Sequence, residues 1–318
     1  YILKVTSDND IKISIEKGFY SDKTLHYYDI DTLKVTFQNI NDICINIICS
    51  KITRNLLPSI TTKPKNILDN TTGIYQIKNY YYYYFNKKLN SKNLIVMFHG
   101  AICGTGCNRQ RYRGYNYNIN DSDILCLNDM LNTIFENYGI GYYLSTSKYN
   151  QISIYQEILD YYIKNNNYKN IIFTGTSAGG YPAVMFASYY NSIAIISNSY
   201  LYCEYDTFFK NRDDKKGLLD YCNNNNDIII YNEKQIEFDI IKSKPKKIIV
   251  YQNKLDKNTM FHYNKFHEFI KSKNIMDICE FHLFELDAIP IQKNNKHGVH
   301  GVQFPNYNYL DNIIMKHL

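Results

Sequence analysis

The chain has 318 residues with a formal charge of +6, and 45% of its residues are hydrophobic. This length suits one large domain, or one domain with a modest extension. The hydrophobic content excludes a disordered chain, and 14 Gly and 6 Pro are too few for a collagen-like or linker-type chain. Lys and Arg form no long run, so the sequence predicts no nucleic-acid partner.

The first 65 residues are predicted to form a small β-rich extension. Apolar and polar residues alternate in Ile11–Glu16 and in Leu33–Phe37, which is typical of half-buried strands. Residues 57–66 contain two Pro together with Ser and Thr and form the best linker candidate. The domain boundary is therefore predicted between residues 65 and 66.

From about residue 70 the pattern changes to apolar strands that alternate with helix-length segments. The run 74–85, with five consecutive tyrosines, is typical of a hairpin arm. Short apolar strands are predicted at 94–98, 124–127, 171–174, 193–196, 248–251 and 281–286. Helices are predicted at 151–164, 181–190 and 309–317.

Fully apolar strands between helices indicate a sheet that helices cover on both faces. The sequence therefore predicts an α/β fold with a doubly wound, mostly parallel sheet over residues 66–318. Residues 200–243 interrupt the alternation with aromatic and charged residues and are predicted to form an insertion or cap. The apolar runs are shorter than the ~18 residues that a membrane-spanning helix needs, so no span is predicted.

The cysteines indicate the compartment. Eight are present without a CxxC pair, and Cys126 and Cys279 lie within apolar runs. Such cysteines are typical of buried thiols in a reducing compartment, so a cytoplasmic location is expected. Cys103 and Cys107 have metal-like spacing, but no second pair accompanies them and no metal site is predicted.

The strongest chemical signal is the segment from Gly175 to Gly180, Gly-Thr-Ser-Ala-Gly-Gly. It follows an apolar strand and precedes a helix, which is the context of the G-x-S-x-G nucleophile elbow of α/β-hydrolases. The glycines allow a tight turn that exposes the hydroxyl of Ser177. The start of the helix behind it offers amide donors for an oxyanion, so the N–H of Ala178 is one predicted oxyanion donor.

A second element follows the strand at 94–98. His99-Gly100-Ala101 stands where α/β-hydrolases have the loop that supplies the other oxyanion donor. The backbone N–H of Ala101 is predicted to fill this role. The His99 side chain is interpreted as structural.

An acid and then a histidine should follow the serine in the chain. Asp256 lies just past the strand at 248–251 and is the predicted acid. The alternative is that Asp256 only caps the next helix, which would leave Asp287 as the acid. In the polar loop before the last helix, either His297 or His300 fits the role of base, and His300 is preferred.

This order of motifs resembles the α/β-hydrolase superfamily over residues 70–318. A narrower resemblance is to the XcbB/CpsF-type capsular polysaccharide biosynthesis proteins. It is carried by Met97–Gly100, Asn108–Arg113, Leu127–Asp129, Gly141–Leu144 and Gly175–Tyr181, and continues at Asn253 and Asp256. The resemblance implies a serine-dependent enzyme that adds or removes acyl groups on surface glycans. Gly141-Tyr-Tyr-Leu144 departs from the expected pattern, which has Trp-Tyr.

In the light of this resemblance, Arg109, Arg111 and Arg113 are expected to reach an anionic substrate or the phosphates of a coenzyme A donor. Surface salt bridges are the alternative for these arginines. Tyr143 and Tyr181 are predicted to contact a small-molecule or glycan substrate. No tightly bound cofactor is expected, and acetyl-CoA is the candidate acyl donor.

The 33 Tyr and 40 Asn remain an unusual feature. Their concentration at 79–84, 115–120, 165–168 and 223–226, outside the catalytic segments, favours biased codon usage that fills permissive positions. Tyr112, Tyr142, Tyr143 and Tyr181 are the exceptions, since they are expected close to the site. The sequence thus predicts a carbohydrate O-acyltransferase or esterase, and the alternative is a non-catalytic glycan-binding protein on the same scaffold.

Overall fold

A computed structural model describes the greater part of the chain after residue 68 and the backbone of separate strands before it. The described residues are 2–8, 10–16, 27–30, 33–37, 45–49, 52–55, 69–77, 81–100, 119, 121–129, 131, 141–202, 222–230, 235–287, 298–301, 304–305 and 309–318. The predicted linker at 57–66 and the predicted domain boundary lie outside these residues.

Short strands precede residue 56, as the alternating sequence predicts. They pair antiparallel: β1 (Ile2–Asp8) with β2 (Asp10–Glu16), β3 (Tyr27–Ile30) with β6 (Ile52–Asn55), and β4 (Leu33–Phe37) with β5 (Ile45–Cys49). The register of the first pair runs from Ile2 opposite Glu16 to Asp8 opposite Asp10, which makes it a tight hairpin. The β-rich character predicted for this part of the chain is therefore confirmed.

The main sheet has eight strands. They are β7 (Gly73–Ile77), β8 (Tyr81–Asn86), β9 (Asn93–Phe98), β10 (Ser122–Leu127), β12 (Asn170–Thr176), β13 (Ile193–Ser197), β15 (Lys247–Asn253) and β16 (Cys279–Phe284). Their spatial order is β16-β15-β13-β12-β9-β10-β8-β7. Strand β8 is antiparallel to both of its neighbours, and the pairs from β10 to β16 are parallel. The prediction of a mostly parallel sheet is confirmed.

Helices cover both faces of this sheet. They are α1 (Gln151–Asn166), α2 (Gly180–Tyr189), α3 (Gln235–Lys242), α4 (Lys257–Ser272) and α5 (Tyr309–His317). Helix α1 begins at Asn150, whose side chain accepts the N–H of Ser153, and ends at the left-handed Asn167. None of the described helices combines the length and apolar character that crossing a bilayer requires.

The apolar strands contribute side chains to two cores. From β9, Leu94, Val96 and Phe98 pack into the core that contains α1 to α4, whereas Ile95 and Met97 pack into the core under α5. Because successive side chains of a strand point to opposite faces, a strand buried on both sides has no polar positions. This explains the uninterrupted apolar runs that predicted the doubly wound fold.

Described tyrosines of the run occupy core positions. Strand β8 carries Tyr81 and Tyr83, both fully buried, and the Tyr83 ring stacks on Tyr75 at 5.2 Å between centroids. The Tyr83 and Tyr162 hydroxyls lie 3.3 Å apart, so one donates a hydrogen bond to the other. The interpretation of these tyrosines as residues at permissive positions is wrong, because they form part of the buried layer between β8 and α1.

The described parts of the predicted insertion pack onto the sheet domain. Helix α3 packs against α2, and the short strand β14 (Ile229–Ile230) pairs with β11 (Ser145–Thr146). Asp227 accepts hydrogen bonds from the hydroxyls of Thr146 at 2.7 Å and Ser147 at 2.6 Å. These contacts connect the insertion to the loop that precedes α1.

Candidate active site

The polar residues that follow three parallel strands meet at one edge of the sheet. Ser177 follows β12, His99 follows β9, and Asp256 lies three residues after β15. The carboxyl ends of parallel strands lie at the same edge, where open α/β sheets bind their ligands. The topology alone therefore brings these groups into one neighbourhood.

Ser177 lies at the sharp turn between β12 and α2. Its φ is 56°, a left-handed value that a non-glycine residue adopts at a cost, and a short 3-10 turn, Ser177–Gly179, leads directly into the helix. A Cβ atom at Gly175 would overlap the carbonyl of Gly179, and one at Gly179 would lie 2.6 Å from the Phe98 carbonyl oxygen. The turn therefore requires glycine at both positions.

Substitution Gly175→Ala is expected to destabilise the protein by about 3 kcal/mol or more, because the new methyl group overlaps backbone that has no room to move. Urea unfolding followed by circular dichroism measures this loss. A loss below about 1 kcal/mol would show that the elbow opens easily and that its geometry is not set by Gly175.

A chain of hydrogen bonds joins Ser177, His300 and Asp256. The His300 Nε2 atom lies 2.9 Å from the Ser177 Oγ, and its Nδ1 atom lies 2.6 Å from the Asp256 Oδ2. His300 lies in a 3-10 turn, Gly298–Gly301, and its side chain is 11% exposed. An imidazole held between a carboxylate and a hydroxyl in this way can take a proton from that hydroxyl as the oxygen attacks.

Asp256 caps helix α4 and also contacts His300. It is the N-cap of α4, where its Oδ1 accepts the Asn258 N–H at 3.1 Å, while its Oδ2 accepts the Thr259 hydroxyl at 2.7 Å and contacts His300. Burial raises the pKa of this carboxyl, but the hydrogen bonds from His300, Thr259 and Asn258 outweigh burial and hold the pKa below its usual value. The alternative acid, Asp287, is exposed.

The backbone after β9 lies directly against Ser177. A Cβ atom at Gly100 would lie 3.1 Å from the Ser177 Cβ, so this loop packs closely against the serine. Ala178 is buried in the turn that begins α2, where unpaired helix N–H groups are found. Ala101, the other predicted oxyanion donor, lies outside the described residues.

The other predicted site residues have different environments. Tyr143 and Tyr181 are both almost fully buried, and the Tyr143 hydroxyl hydrogen-bonds to the backbone of His99. The residues that lie outside the described part of the chain are Arg109, Arg111, Tyr112, Arg113 and His297. Their roles, and the substrate contacts of the two tyrosines, stay predictions.

Two residues at the site were not singled out from the sequence. Tyr200, which follows β13, donates its N–H to the Ser177 carbonyl at 3.0 Å, and its ring centroid lies 5.5 Å from that of His300. The His262 ring packs against that of Tyr200 with 5.2 Å between centroids, and His262 is buried. The position of Tyr200 after a central parallel strand is the signal that could have identified it.

The fold has the architecture of the α/β-hydrolases, and the site joins a serine, a histidine and an aspartate in one chain of hydrogen bonds. Among the described residues, no three His, Cys, Asp or Glu side chains are grouped to hold a metal ion.

The chain is similar to several solved structures. The chain is similar to the capsule O-acetyltransferase of Neisseria meningitidis serogroup A, with 15% identity and a TM-score of 0.52 over 79% of this chain and 96% of that one. It also matches an S-formylglutathione hydrolase from Agrobacterium tumefaciens, with 12% identity and a TM-score of 0.48 over 77% of this chain and 93% of that one. The S-formylglutathione hydrolase FrmB from Staphylococcus aureus is 11% identical, with a TM-score of 0.47 over 77% of this chain and 95% of that one.

The sequence itself matches no family model and no curated protein. The likeness to the capsule O-acetyltransferase confirms the α/β-hydrolase fold that the motif order implied.

Proposed function

We propose that the chain is a serine-dependent acyl-transfer enzyme that acts on a carbohydrate or glycan, either as an O-acyltransferase or as an esterase. The observation that carries this proposal is the hydrogen-bonded chain Ser177–His300–Asp256 at the carboxyl edge of the sheet, with Ser177 held in a strained elbow. Nucleophile, base and orienting carboxylate are the groups that acyl transfer through a covalent intermediate requires.

In the first half of the proposed reaction, the Ser177 Oγ attacks the carbonyl carbon of an ester or thioester. His300 takes the hydroxyl proton on Nε2, and the carbonyl oxygen becomes an oxyanion that backbone N–H groups beside Ser177 stabilise. The tetrahedral intermediate then collapses, and His300 gives the proton to the departing alcohol or thiol. The acyl group remains bound to Ser177 as an ester.

In the second half, His300 takes a proton from an acceptor hydroxyl, whose oxygen attacks the acyl-enzyme. The bond to the Ser177 Oγ breaks, and His300 returns the proton to the serine. A sugar hydroxyl as acceptor gives O-acylation, and water gives hydrolysis. Asp256 remains charged throughout and stabilises the imidazolium that forms in each half.

A glycan substrate is proposed on two grounds. The motifs of the chain resemble those of capsular polysaccharide biosynthesis proteins, and a structure with the same fold is a capsule O-acetyltransferase. Acetyl-CoA is the proposed acyl donor, with Arg109 and Arg111 as proposed partners for its phosphates. No site for a resident cofactor enters this proposal.

The test of the proposal is covalent labelling with a fluorophosphonate, which reacts with activated serines. We expect intact mass spectrometry to show one adduct, peptide mapping to place it on Ser177, and Ser177→Ala to remain unlabelled. Folded wild-type protein that takes up no label would contradict the proposal and favour a non-catalytic glycan-binding protein on this scaffold.

A second experiment separates transferase from esterase. Acetyl-CoA is supplied with and without a capsular polysaccharide acceptor, and free CoA and acetylated glycan are both measured. Acetylated glycan that depends on Ser177 supports the O-acyltransferase, whereas release of CoA or acetate without glycan acetylation supports the esterase.

A further inference from the structure

A strained turn is hydrogen-bonded to the loop that contacts Ser177. Tyr142 and Tyr143 have φ values of 55° and 56°, and the Leu144 N–H donates to the Gly141 carbonyl at 3.1 Å. Two central residues with positive φ are typical of a type I′ turn, which Asn and Gly normally occupy. Bulky side chains in this conformation cost about 1 kcal/mol or more each, so the surrounding structure has to hold the turn in place.

The carboxylate of Asp129 accepts hydrogen bonds from the backbone of this turn. Asp129 follows β10 and is completely buried. It accepts the N–H groups of Gly141 at 2.6 Å, Tyr143 at 3.2 Å and Leu131 at 3.3 Å, together with the Gln151 side-chain amide at 3.5 Å. Burial raises the pKa of Asp129 to about 6 although these hydrogen bonds oppose it, so the carboxylate is charged at neutral pH.

The Tyr143 hydroxyl connects the turn to the loop beside Ser177. It accepts the His99 N–H at 2.8 Å and donates to the His99 carbonyl at 3.0 Å. One hydroxyl therefore fixes both backbone polar groups of the same residue. Both Tyr143 and His99 are almost fully buried, so water is a poor substitute for this contact.

The His99 ring completes the connection. Its Nε2 lies 3.1 Å from the Asp129 backbone N–H, which can only donate, so Nε2 is the acceptor and Nδ1 carries the proton. Nδ1 then donates to the Gly100 carbonyl at 2.6 Å. Because a peptide is planar, the carbonyl of His99 also sets the direction of the Gly100 N–H, and Gly100 is the residue that lies against Ser177.

We propose that Asp129, Tyr143 and His99 form a buried clamp that orients the peptide groups after β9 toward the oxyanion of the reaction, with Tyr143 as a positioning residue. This inference rests on the proposed function, since an oxyanion forms only if Ser177 attacks a carbonyl. It gives Tyr143 a role through the backbone of His99 instead of a direct contact with sugar. It also explains why two tyrosines are kept in a strained turn.

The test compares Tyr143→Phe with Tyr83→Phe in hydrolysis of p-nitrophenyl acetate. Removing one oxyanion donor from a serine enzyme lowers kcat by about 10²- to 10³-fold, and a donor that is only misplaced costs less. We therefore expect Tyr143→Phe to lower kcat about 10- to 100-fold with KM nearly unchanged. Affinity for a boronic acid, which forms a tetrahedral adduct on the serine, should fall by a similar factor.

The control variant removes a hydroxyl that is equally buried. Tyr83 is fully buried, and among the described residues its hydroxyl hydrogen-bonds to that of Tyr162. We expect Tyr83→Phe to leave kcat and boronate affinity within about twofold of wild type, because it changes the core without touching the clamp. Equal effects of the two variants, or a rise in KM with unchanged kcat for Tyr143→Phe, would overturn the clamp.

A second pair of variants covers the case in which Tyr143→Phe does not fold. Asparagine at position 99 can place a side-chain N–H near the former Nδ1, whereas alanine cannot, so His99→Asn should retain more of kcat than His99→Ala. Equal kcat values for the two would contradict the clamp. Fluorophosphonate labelling of the wild type separates the outcomes. If the wild type is labelled but the clamp variants do not lower kcat as expected, the clamp alone is rejected. If the wild type is not labelled, the proposed function is rejected as well.

Discussion

Replacing His300 with alanine is expected to lower kcat for an activated ester by about 10⁵-fold, with KM little changed. The imidazole is the group placed to take the Ser177 proton, with Nε2 2.9 Å from Oγ and Nδ1 2.6 Å from the Asp256 carboxylate. Without it, the serine must attack as a neutral hydroxyl, and the leaving group departs without a proton donor. Steady-state hydrolysis of p-nitrophenyl acetate at pH 8 measures the loss.

The matched control for this variant is His297→Ala. The sequence leaves both histidines open as the base, since they occupy the same Gly-rich loop, and only His300 lies within the described residues. We expect His297→Ala to keep kcat within about twofold of wild type, because the interactions of His300 already complete the proton path. If His297→Ala abolished activity and His300→Ala did not, the base would be His297. Thermal unfolding of both variants checks that the fold is intact.

The fold was predictable because its main signal is local. A strand that is buried on both faces has no polar positions, and this shows in the sequence as a short uninterrupted apolar run. The run at 171–174 predicted β12, which the structure extends to Thr176, immediately before Ser177. The bounds differ by one or two residues because strand ends are set by hydrogen bonding to neighbours that the sequence does not identify.

The tyrosines show where local reasoning failed. The concentration of Tyr and Asn suggested that 79–84 fills permissive positions, but Tyr81 and Tyr83 pack in the core against α1. Tyrosine is amphipathic, so it can be buried wherever its hydroxyl finds a partner. Tyr81 satisfies this condition by donating to the Asn128 carbonyl at 3.0 Å. That partner is more than forty residues away in the chain, and no periodicity reveals it.

The candidate site likewise contains residues that could be identified from the sequence and residues that could not. Ser177, Asp256 and His300 could be selected from the sequence because each follows an identifiable strand or lies in a Gly-rich loop in a fixed order. Tyr200 and Asp129 were not assigned roles, because they act through packing and backbone hydrogen bonds that only the folded chain creates. The proposed catalytic groups of this chain thus have sequence signatures. The groups proposed to position them can be identified only from the tertiary contacts of the folded chain.

Substitution Asp256→Asn is expected to lower kcat by about 10⁴-fold while leaving α4 folded. The amide oxygen can still accept the Asn258 N–H, so the helix cap is retained. The asparagine side chain carries no charge to stabilise the imidazolium of His300, and its amide can favour the wrong tautomer of the histidine ring. Ester hydrolysis measures kcat, and the circular dichroism of the variant reports on the helix.

The control for this variant is Thr259→Val, which removes one hydrogen bond to Asp256 at 2.7 Å and leaves the carboxylate charged. Its effect on kcat should be at most about tenfold.

The pH dependence of stability gives an independent check on Asp256. The Asp256 pKa is held below its usual value in the folded state, so the charged carboxylate stabilises the fold above the unfolded-state pKa, and the contribution is lost as the pH falls through the folded value. The difference in free energy of unfolding between wild type and Asp256→Asn should therefore narrow in acid. A difference that is constant between pH 7 and pH 3 would mean that Asp256 does not interact with His300 as a charged group.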